Sequence, residues 1–523
     1  MRFLNPTSAK RAVMVVARRR RTTGGVTTAD LNPATASGYT AAILDDSSFR
    51  KRPWENELIK SCAARKQVRV SLDSVLDVST GERPWRSSFA TANPDISAGP
   101  EPDRGRRACH SYVSDAERRK MTEGQLQSAQ YLHRELPVRL AHAVTALDKM
   151  KDTGLTATLP VARVREDYLE SFRELQESPR PHELDQVAAF TETVRRAQER
   201  GSDTVLRMAC GLQDLMRGGD GEEEALERIQ EFLDEFYQNR VAMRFLCGHY
   251  LALSSPQRDG LVGLVQRGVS LTEIAQGAAI EAATICCHAL GACPEIRMSV
   301  DPAGDGLVAA VPEYVHYVVL ELLKNAMRAT MQAHGAGKAV GGGGEGGGGA
   351  GMDVAGEESA RVQEREEVEG GGGGGGGSRN AGDRDAPIVF ASVPEVVISV
   401  RAHGDDDVML VVADQGGGIP AEATDKVWSY LYTTAGDAVK TSYLADGGNS
   451  PSKPPPLAGL GYGLPLSRLY ARNFGGELKL QRSTSGEGTS ATLRLSRHGT
   501  RLEPLVWPKA PDSIEELYAH VHL

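Results

Sequence analysis

The spacing of apolar residues changes once along this chain, near Gly291, and that change restricts the fold more than any other feature of the sequence. Before it, apolar residues recur every three or four positions, which is the period of an amphipathic helix. Several such helices joined by short polar loops favour an antiparallel bundle at residues 108–290. Pro137 is predicted to begin a turn or a kink in the first helix. The helical patterns cover residues 122–150, 161–176, 184–199, 202–216, 222–254 and 270–290.

Beyond Gly291, short apolar runs predict strands, and helical stretches lie among them. The runs are IRMSV, VVISVRA, VMLVVAD, ELKLQRS and TSATLRLS. Hairpins mixed with helices indicate an α/β sandwich at residues 291–500, whose sheet carries helices on one face. The predicted fold class is therefore α+β, with an N-terminal antiparallel helical bundle followed by an α/β sandwich.

The remaining segments have compositions of their own. Residues 1–29 are rich in Arg and Thr and lack Asp and Glu, as in a mitochondrial or plastid transit peptide. The arginine block within them also fits a nuclear signal. Residues 30–107 show no sustained period and are predicted to be poorly ordered. Glycine runs predict a flexible insertion at residues 335–385, and Gly, Ser and Pro predict a mobile lid at 435–458. Residues 501–523 are interpreted as a C-terminal tail.

Composition argues against two classes of partner. The net charge of −9 provides no global basic field for nucleic acid. No run of 18 or more apolar residues is present, so the sequence predicts no membrane span. The seven cysteines include no CxxC pair, which favours reduced thiols in an intracellular protein.

The stretch ELLKNAMRAT carries the first functional motif. Glu321, Asn325 and Arg328 recur at i, i+4 and i+7, so a helix stacks them in one polar stripe. An amide oxygen can ligate Mg²⁺ without adding negative charge beside phosphates, and a carboxylate one turn away can accept a proton. Taken alone, the same stripe also fits the solvated face of a surface helix.

The second motif is VVADQGGGIP, in which a strand ends at Asp414. A carboxylate at this point can accept a hydrogen bond from an adenine amino group and so select adenine over guanine. Gly416 and Gly418 allow the backbone to approach a flat ligand more closely than any Cβ would permit. A glycine turn that simply caps a strand is the alternative interpretation.

The third motif is LAGLGYGLPLSRLYARNFGG, in which Gly459, Gly461 and Gly463 precede a helix. The free amides of a helix N-terminus can bind phosphate oxygens, although this glycine spacing is weak evidence by itself. Further along, Thr489 opens the last strand and would supply one more hydroxyl.

The order of these motifs resembles the ATP site shared by DNA gyrase, the heat-shock chaperones and histidine kinases. More narrowly, ELLKNAMRAT, YTTA, GLGYGLPLSRLYARNFGG and RELPVRLAH resemble the mitochondrial protein kinases of the 2-oxoacid dehydrogenase complexes. The resemblance covers residues 125–495 outside the glycine tract. It implies a kinase that transfers the γ-phosphate of ATP to a serine on the alpha subunit of the decarboxylating dehydrogenase.

The resemblance also assigns roles to residues. Glu321 would be the general base, Asn325 the Mg²⁺ ligand and Asp414 the adenine reader, while Lys324 and Arg328 would steady phosphates or the carboxylate. Backbone oxygens near Val427 and Tyr432 would hold K⁺. The nucleotide would be lined by Gly416, Gly418, Thr433, Thr434, Gly459, Leu460, Gly461, Tyr462, Gly463, Leu464 and Thr489.

Partners and location follow from the same resemblance. It implies a homodimer in the mitochondrial matrix that docks on the lipoyl-bearing core of a dehydrogenase complex. Tyr317 and the pair Thr433 and Thr434 fit the branched-chain kinases better than the pyruvate kinases, which carry His at the position of Tyr317. Phosphorylation of the alpha subunit of the branched-chain 2-oxoacid dehydrogenase is the first hypothesis, and pyruvate dehydrogenase is the alternative substrate.

Three other functions stay open at this point. A histidine kinase would place its phosphate on His249, for which a buried structural role is the competing interpretation. A non-catalytic adaptor would dock on the complex and only sense ATP. A chaperone-type ATPase is disfavoured because no large client-binding domain follows Leu495.

Overall fold

The computed structural model describes residues 53–84, 115–217, 223–254, 260–301, 306–334, 388–434, 461–483 and 486–506. The predicted transit peptide, glycine-rich insertion and lid lie outside these residues, as does the tail beyond residue 506. The chain divides into two compact units, residues 1–61 and 62–523. The described residues of the first unit belong to helix α1 (Pro53–Ala63).

Six further helices build the first domain of the second unit. Helix α3 packs against α2, α4, α5 and α7, and α4 also packs against α6. The packed sides are apolar, with Leu132, Phe172, Val194 and Phe236 all buried. This arrangement is the helical bundle that the apolar spacing predicts. The helices are α2 (Leu72–Ser79), α3 (Asp115–Lys149), α4 (Leu159–Glu177), α5 (Leu184–Arg200), α6 (Thr204–Arg217) and α7 (Glu223–Leu253).

Of the turn or kink predicted at Pro137, the turn is wrong, because helix α3 continues through this residue. A proline inside a helix removes one backbone hydrogen bond and costs about 3 kcal/mol. Leu136, Val138 and Leu140 around it are all buried. Burial of one large aliphatic side chain stabilises a fold by about 1.5–3 kcal/mol, so the three together outweigh the proline.

Residues 62–84 correct the prediction that the whole of 30–107 is poorly ordered, because they pack on α3. Their anchor is the fully buried guanidinium of Arg139. It donates hydrogen bonds to the carbonyl oxygen of Val68 at 3.0 Å and to Oε2 of Glu503 at 3.1 Å. Three distant parts of the chain meet at this guanidinium, and such contacts leave no local periodicity in the sequence.

The described residues of the second domain form eight strands, three α-helices and two short 3₁₀ turns. The strands are β1 (Leu261–Val262), β2 (Val265–Ser270), β3 (Ile296–Val300), β4 (Leu307–Ala310), β5 (Val396–His403), β6 (Asp407–Ala413), β7 (Glu477–Arg482) and β8 (Thr489–Ser496). The helices are α8 (Leu271–Leu290), α9 (Pro312–Ala333) and α10 (Gly463–Asn473). Strands β1, β2 and β4 form a small sheet that the sequence did not reveal, because runs of two to six residues are too short to show a period.

The larger sheet has the strand order β3-β5-β6-β8-β7. Strands β3 and β5 are parallel, and the other neighbours are antiparallel. The register sets Val400 opposite Leu410 and Leu410 opposite Leu493, so apolar side chains align across three strands. These side chains share one core cluster with residues of α8 and α9. The predicted α/β sandwich is confirmed.

Helix α8 lies in this second domain, whereas its spacing assigned residues 270–290 to the bundle. Ala275, Ala278 and Ala282 are fully buried in the core cluster of the sandwich, and α8 packs along α9. Apolar period identifies a helix with a buried face, but it does not identify the element that covers that face. The boundary between the domains therefore lies before β1 rather than at Gly291.

Candidate active site

A cavity of about 510 Å³ opens between α9, the end of β6 and the start of α10. Small-molecule sites usually enclose roughly 300–1,000 Å³. Twelve predicted site residues line the cavity: Glu321, Asn325, Arg328, Asp414, Gly416, Gly418, Thr433, Thr434, Gly461, Gly463, Leu464 and Thr489. Gly459 and Leu460 lie outside the described residues. Lys324 and Tyr462 are described but do not line the cavity.

Helix α9 turns its polar stripe toward the cavity because its other face is buried. Leu323 and Met327 are fully buried in the core cluster. Glu321 and Asn325 stand one turn apart on the cavity wall. The stripe therefore lines a cavity and is not the solvated face of a surface helix.

The Glu321 carboxylate is held on two sides. Lys324 donates a hydrogen bond from Nζ to Oε1 of Glu321 at 2.7 Å, and the two side chains are only 8 % and 17 % exposed. On the other side, a Cβ added at Gly463 would lie 2.4 Å from Oε2 of Glu321. Lys324 thus contacts the carboxylate, and the glycine lets the first turn of α10 approach it.

Arg328 brings a buried cationic group with unused hydrogen-bonding capacity to the cavity. Its Nη2 donates to Oγ1 of Thr434 at 2.8 Å. Its Nε is buried and has no hydrogen-bond partner among the described residues. Burial lowers the pKa of the Arg328 guanidinium below its ordinary value. An anionic ligand in the cavity would offset the cost of burying the charge.

One carboxylate oxygen of Asp414, Oδ1, accepts hydrogen bonds from the backbone, and the other, Oδ2, is available to a ligand. The backbone N–H groups of Gly416 and Thr489 donate to Oδ1 at 2.9 and 3.1 Å. No described residue donates to Oδ2. Burial raises the pKa of Asp414, and the two N–H groups counteract part of that rise. The side chain is thereby oriented to accept one hydrogen bond from a ligand in the cavity.

Two glycines allow close approaches of backbone around the cavity. A Cβ at Gly416 would lie 2.4 Å from the Cβ of Ala329, so the loop after β6 packs directly on α9. Gly461 has a φ of +80°, and a Cβ there would lie 2.5 Å from the carbonyl oxygen of Tyr432. Neither position admits a larger residue without movement of the backbone.

Tyr462 differs from its predicted role as a nucleotide contact. Its side chain is buried away from the cavity, with ring centroids 5.8 Å from Tyr237 of α7 and 5.2 Å from Tyr430. The flanking residues Gly461 and Gly463 do line the cavity. The apolar ring is more stable inside an aromatic cluster than in a polar site, so Tyr462 does not reach the cavity, whereas Leu464 of the same motif lines it.

One wall of the cavity is apolar and was missed by the sequence interpretation. Its members are ordinary small or aliphatic residues, and nothing in the local pattern separates them from core residues. They are Ala423, Val412, Ile419, Leu480, Pro420 and Ala491. Such apolar residues can pack against the face of a flat aromatic ligand.

The described residues contain no group of three or more His, Cys, Asp or Glu side chains suited to hold a metal ion. Asn325, which lines the cavity, carries an amide oxygen of the kind that can ligate a divalent cation together with oxygens of a ligand. Mg²⁺ bound through one or two protein groups and substrate phosphates has this character.

His249 is a buried structural residue and not an accessible phosphate acceptor. Its Nε2 lies 2.8 Å from Oγ of Ser79, whose hydroxyl donates to Val75 O, so Nε2 carries the proton. Its Nδ1 accepts from the backbone N–H of Leu264 at 3.3 Å. Both ring nitrogens are engaged, which argues against the histidine-kinase alternative.

The same residue predicts how stability depends on pH. Burial lowers the pKa of His249 to about 3, whereas an unfolded histidine titrates near 6.5. The neutral form favours the fold, so this contribution is complete above about pH 6.5 and is lost as the pH falls toward 3. At pH 5 the loss should be about 2 kcal/mol relative to pH 7.5.

The control for that prediction is His249→Gln, which keeps one donor and one acceptor but does not titrate. Urea unfolding of both proteins at pH 7.5 and pH 5 measures the difference, because all other titrating groups are shared. An equal loss of stability in the two proteins would contradict the assignment of His249 as a buried neutral histidine.

Two segments of the chain are similar to known protein families. Residues 111–266 match a family model described as mitochondrial branched-chain alpha-ketoacid dehydrogenase kinase. Residues 381–499 match one described as histidine kinase-, DNA gyrase B- and HSP90-like ATPase.

Three relatives have names that refer to one activity. The mitochondrial [pyruvate dehydrogenase (acetyl-transferring)] kinase of Arabidopsis thaliana is 33 % identical over 384 residues, which cover 73 % of this chain and 87 % of that protein. The isozyme 4 kinase of Ictidomys tridecemlineatus is 28 % identical, with 70 % and 76 % covered. The kinase of Ascaris suum is 31 % identical, with 70 % and 77 % covered.

Proposed function

This chain belongs to the family of mitochondrial 2-oxoacid dehydrogenase kinases, which are ATP-dependent protein kinases, and on that premise we propose that its cavity transfers phosphate from Mg-ATP to a serine. One observation carries the proposal. Glu321, Asn325, Arg328 and Asp414, which are separated by up to 93 positions, line the same cavity. Each has a distinct task in binding or activating a nucleotide.

The proposed reaction uses Glu321 as general base. The carboxylate accepts the hydroxyl proton of the serine as the serine oxygen bonds to the γ-phosphorus, and the bond between that phosphorus and its bridging oxygen breaks to release ADP. Lys324 holds the carboxylate through the 2.7 Å contact with Oε1. Arg328, which lines the cavity, would offset charge on the phosphates through its guanidinium.

The adenine end would lie at Asp414. Its free Oδ2 would accept a hydrogen bond from the amino group, and the apolar wall would pack on the ring. Asn325 would hold Mg²⁺, which supplies charge neutralisation on the phosphates when bound. A K⁺ ion near the backbone oxygens of Val427 and Tyr432 belongs to the proposal as well, since both residues line the cavity.

The acceptor is proposed to be the alpha subunit of the branched-chain 2-oxoacid dehydrogenase. Tyr317 and the pair Thr433 and Thr434 support this choice, as does the description of the family model over residues 111–266. Pyruvate dehydrogenase is the second candidate, because the relatives compared above carry that enzyme in their names.

The partners proposed for this chain are the substrate subunit, the lipoyl-bearing core of the complex and a second copy of the chain. The protein is mitochondrial by its family, and the matrix is the compartment in which we propose that it acts. No helix in the described ranges has the length and apolar character needed to cross a membrane.

The decisive experiment incubates the purified chain and Mg-ATP with each of the two dehydrogenases. We expect serine phosphorylation of an alpha subunit and loss of that dehydrogenase's activity, faster with the branched-chain enzyme. Faster transfer to the pyruvate enzyme would support the second candidate. No transfer to either, with ATP bound, would favour a non-catalytic ATP-sensing adaptor.

A further inference from the structure

Helix α7 of the bundle contacts the chain beside the cavity through one row of side chains. Gln230, Asp234 and Tyr237 recur at i, i+4 and i+7 and therefore share one face of the helix. Oε1 of Gln230 accepts from the backbone N–H of Tyr430 at 2.8 Å. Oδ1 of Asp234 accepts from the Tyr430 hydroxyl, also at 2.8 Å.

The hydrogen bonds to Gln230 and Asp234 and the packing of two neighbouring rings hold Tyr430 in place. Its ring lies 5.2 Å from the ring of Tyr237 and 5.2 Å from that of Tyr462, measured between centroids. All three tyrosines are buried. Burial, followed by the charge of Asp234, raises the pKa of Tyr430 well above its ordinary value, so its hydroxyl remains a donor.

The backbone reverses its conformation immediately after this anchor. Leu431 has a φ of +65° and is the one non-glycine residue with positive φ in the part of the chain that the structure describes. Such a conformation costs roughly 1–3 kcal/mol and persists only where surrounding contacts impose it. The reversal at Leu431 lies directly before Tyr432, Thr433 and Thr434, which line the cavity.

The second cavity segment depends on the same cluster. Gly461 packs on the carbonyl oxygen of Tyr432, Tyr462 inserts into the tyrosine cluster, and Gly463 abuts the carboxylate of Glu321. Residues 461–463 thus alternate between the cavity and α7. Residues 432–434 and residues 461–463, which both border the cavity, are therefore held by contacts with α7, a helix of the other domain.

We propose that Asp234 and Tyr430 are positioning residues, through which α7 holds Tyr432–Thr434 and Gly461–Gly463 in the conformation that binds the nucleotide. This inference rests on the proposed function, since it takes the ligand of the cavity to be ATP. It makes the bundle a structural component of the nucleotide site in addition to any docking role. Neither side chain lines the cavity itself.

The test is a double-mutant cycle in the full-length chain. Tyr430→Phe removes the hydroxyl and keeps the buried ring, and Asp234→Ala removes its acceptor. Each should raise the KM for ATP about tenfold with a smaller change in kcat, because a hydrogen bond to a charged group is lost. The double variant should be no weaker than either single variant, since all three lack the same contact.

Two further variants distinguish positioning from general destabilisation. Asp234→Asn retains an oxygen that accepts from Tyr430 and should restore the KM nearly to that of the wild type. Glu231→Ala removes an exposed carboxylate from the same helix and should leave the KM unchanged. A purely structural role would lower the melting temperature and the active fraction while leaving the KM alone.

Calorimetric titration with ATP separates the possible failures. If the wild type binds ATP and the Tyr430 and Asp234 variants bind it equally well, the positioning role is wrong. Additive effects in the double variant would also overturn it. If the wild type binds no ATP, the proposed function fails and this inference fails with it.

Discussion

Glu321→Gln should leave ATP binding intact and reduce phosphate transfer about 10²- to 10⁴-fold, which is the usual contribution of a general base. The substituted side chain has nearly the same shape, and its amide oxygen can still accept from Lys324 in place of Oε1. A neutral amide does not take up the proton of the attacking hydroxyl at neutral pH. The loss should therefore fall on kcat and not on the KM for ATP.

Three measurements make that result interpretable. Serine phosphorylation under single-turnover conditions reports the chemical step, and calorimetric titration reports ATP affinity. Glu313→Gln, the same change at an exposed site in the first turn of α9, should behave as the wild type. Transfer by Glu321→Gln at the wild-type rate would exclude the residue as base, and loss of ATP binding would instead make it a structural residue.

Asp414→Asn should weaken ATP binding by about one to two decades and improve the relative binding of GTP. The backbone donors of Gly416 and Thr489 both reach Oδ1, so the new amide will keep its oxygen there and set its NH₂ group at the Oδ2 position. That NH₂ group would face the amino group of adenine, donor against donor. Loss of a charged hydrogen bond costs roughly 1.5–3 kcal/mol, whereas the 6-oxo group of guanine would gain a donor.

Affinities for ATP and GTP, measured by calorimetry on the same preparation, test this prediction. Asp425→Asn is the matched control, because Asp425 is an exposed carboxylate between the two short 3₁₀ turns that follow the same loop. It should alter neither affinity. Equal weakening of ATP and GTP by Asp414→Asn would indicate that the carboxylate orients the loop without reading the base.

Local pattern predicted most of the elements and the three motifs that meet at the cavity, whereas Thr433 and Thr434 were assigned from the family resemblance. Residues such as Glu321 and Asn325 are tied to one face of a helix by its period, and Asp414 is tied to the end of a strand by the apolar run before it. Both relations hold wherever the element sits in the fold. This is why the motifs could be assigned before their meeting in one cavity was known.

Features that depend on a distant partner were not predictable in this way. Residues 62–84 are held in place by contacts with Arg139 and Glu503. The ring of Tyr462 packs on Tyr237 and does not line the cavity. Neither relation leaves a periodic or compositional mark near the residues concerned. The apolar wall was missed for a related reason, since its residues become a wall only when strands and loop converge.

The sequence by itself determined the types of element, the order of the three motifs and the face of α9 that carries Glu321, Asn325 and Arg328, because these follow from backbone geometry over a few residues. Only the tertiary structure decided that α8 belongs to the sandwich, that Lys324 serves Glu321, and that α7 holds the border of the cavity. An apolar face in the sequence indicates that a helix or strand is buried on that side. It does not indicate which other element covers that face. The choice of partner depends on the packing of the whole chain.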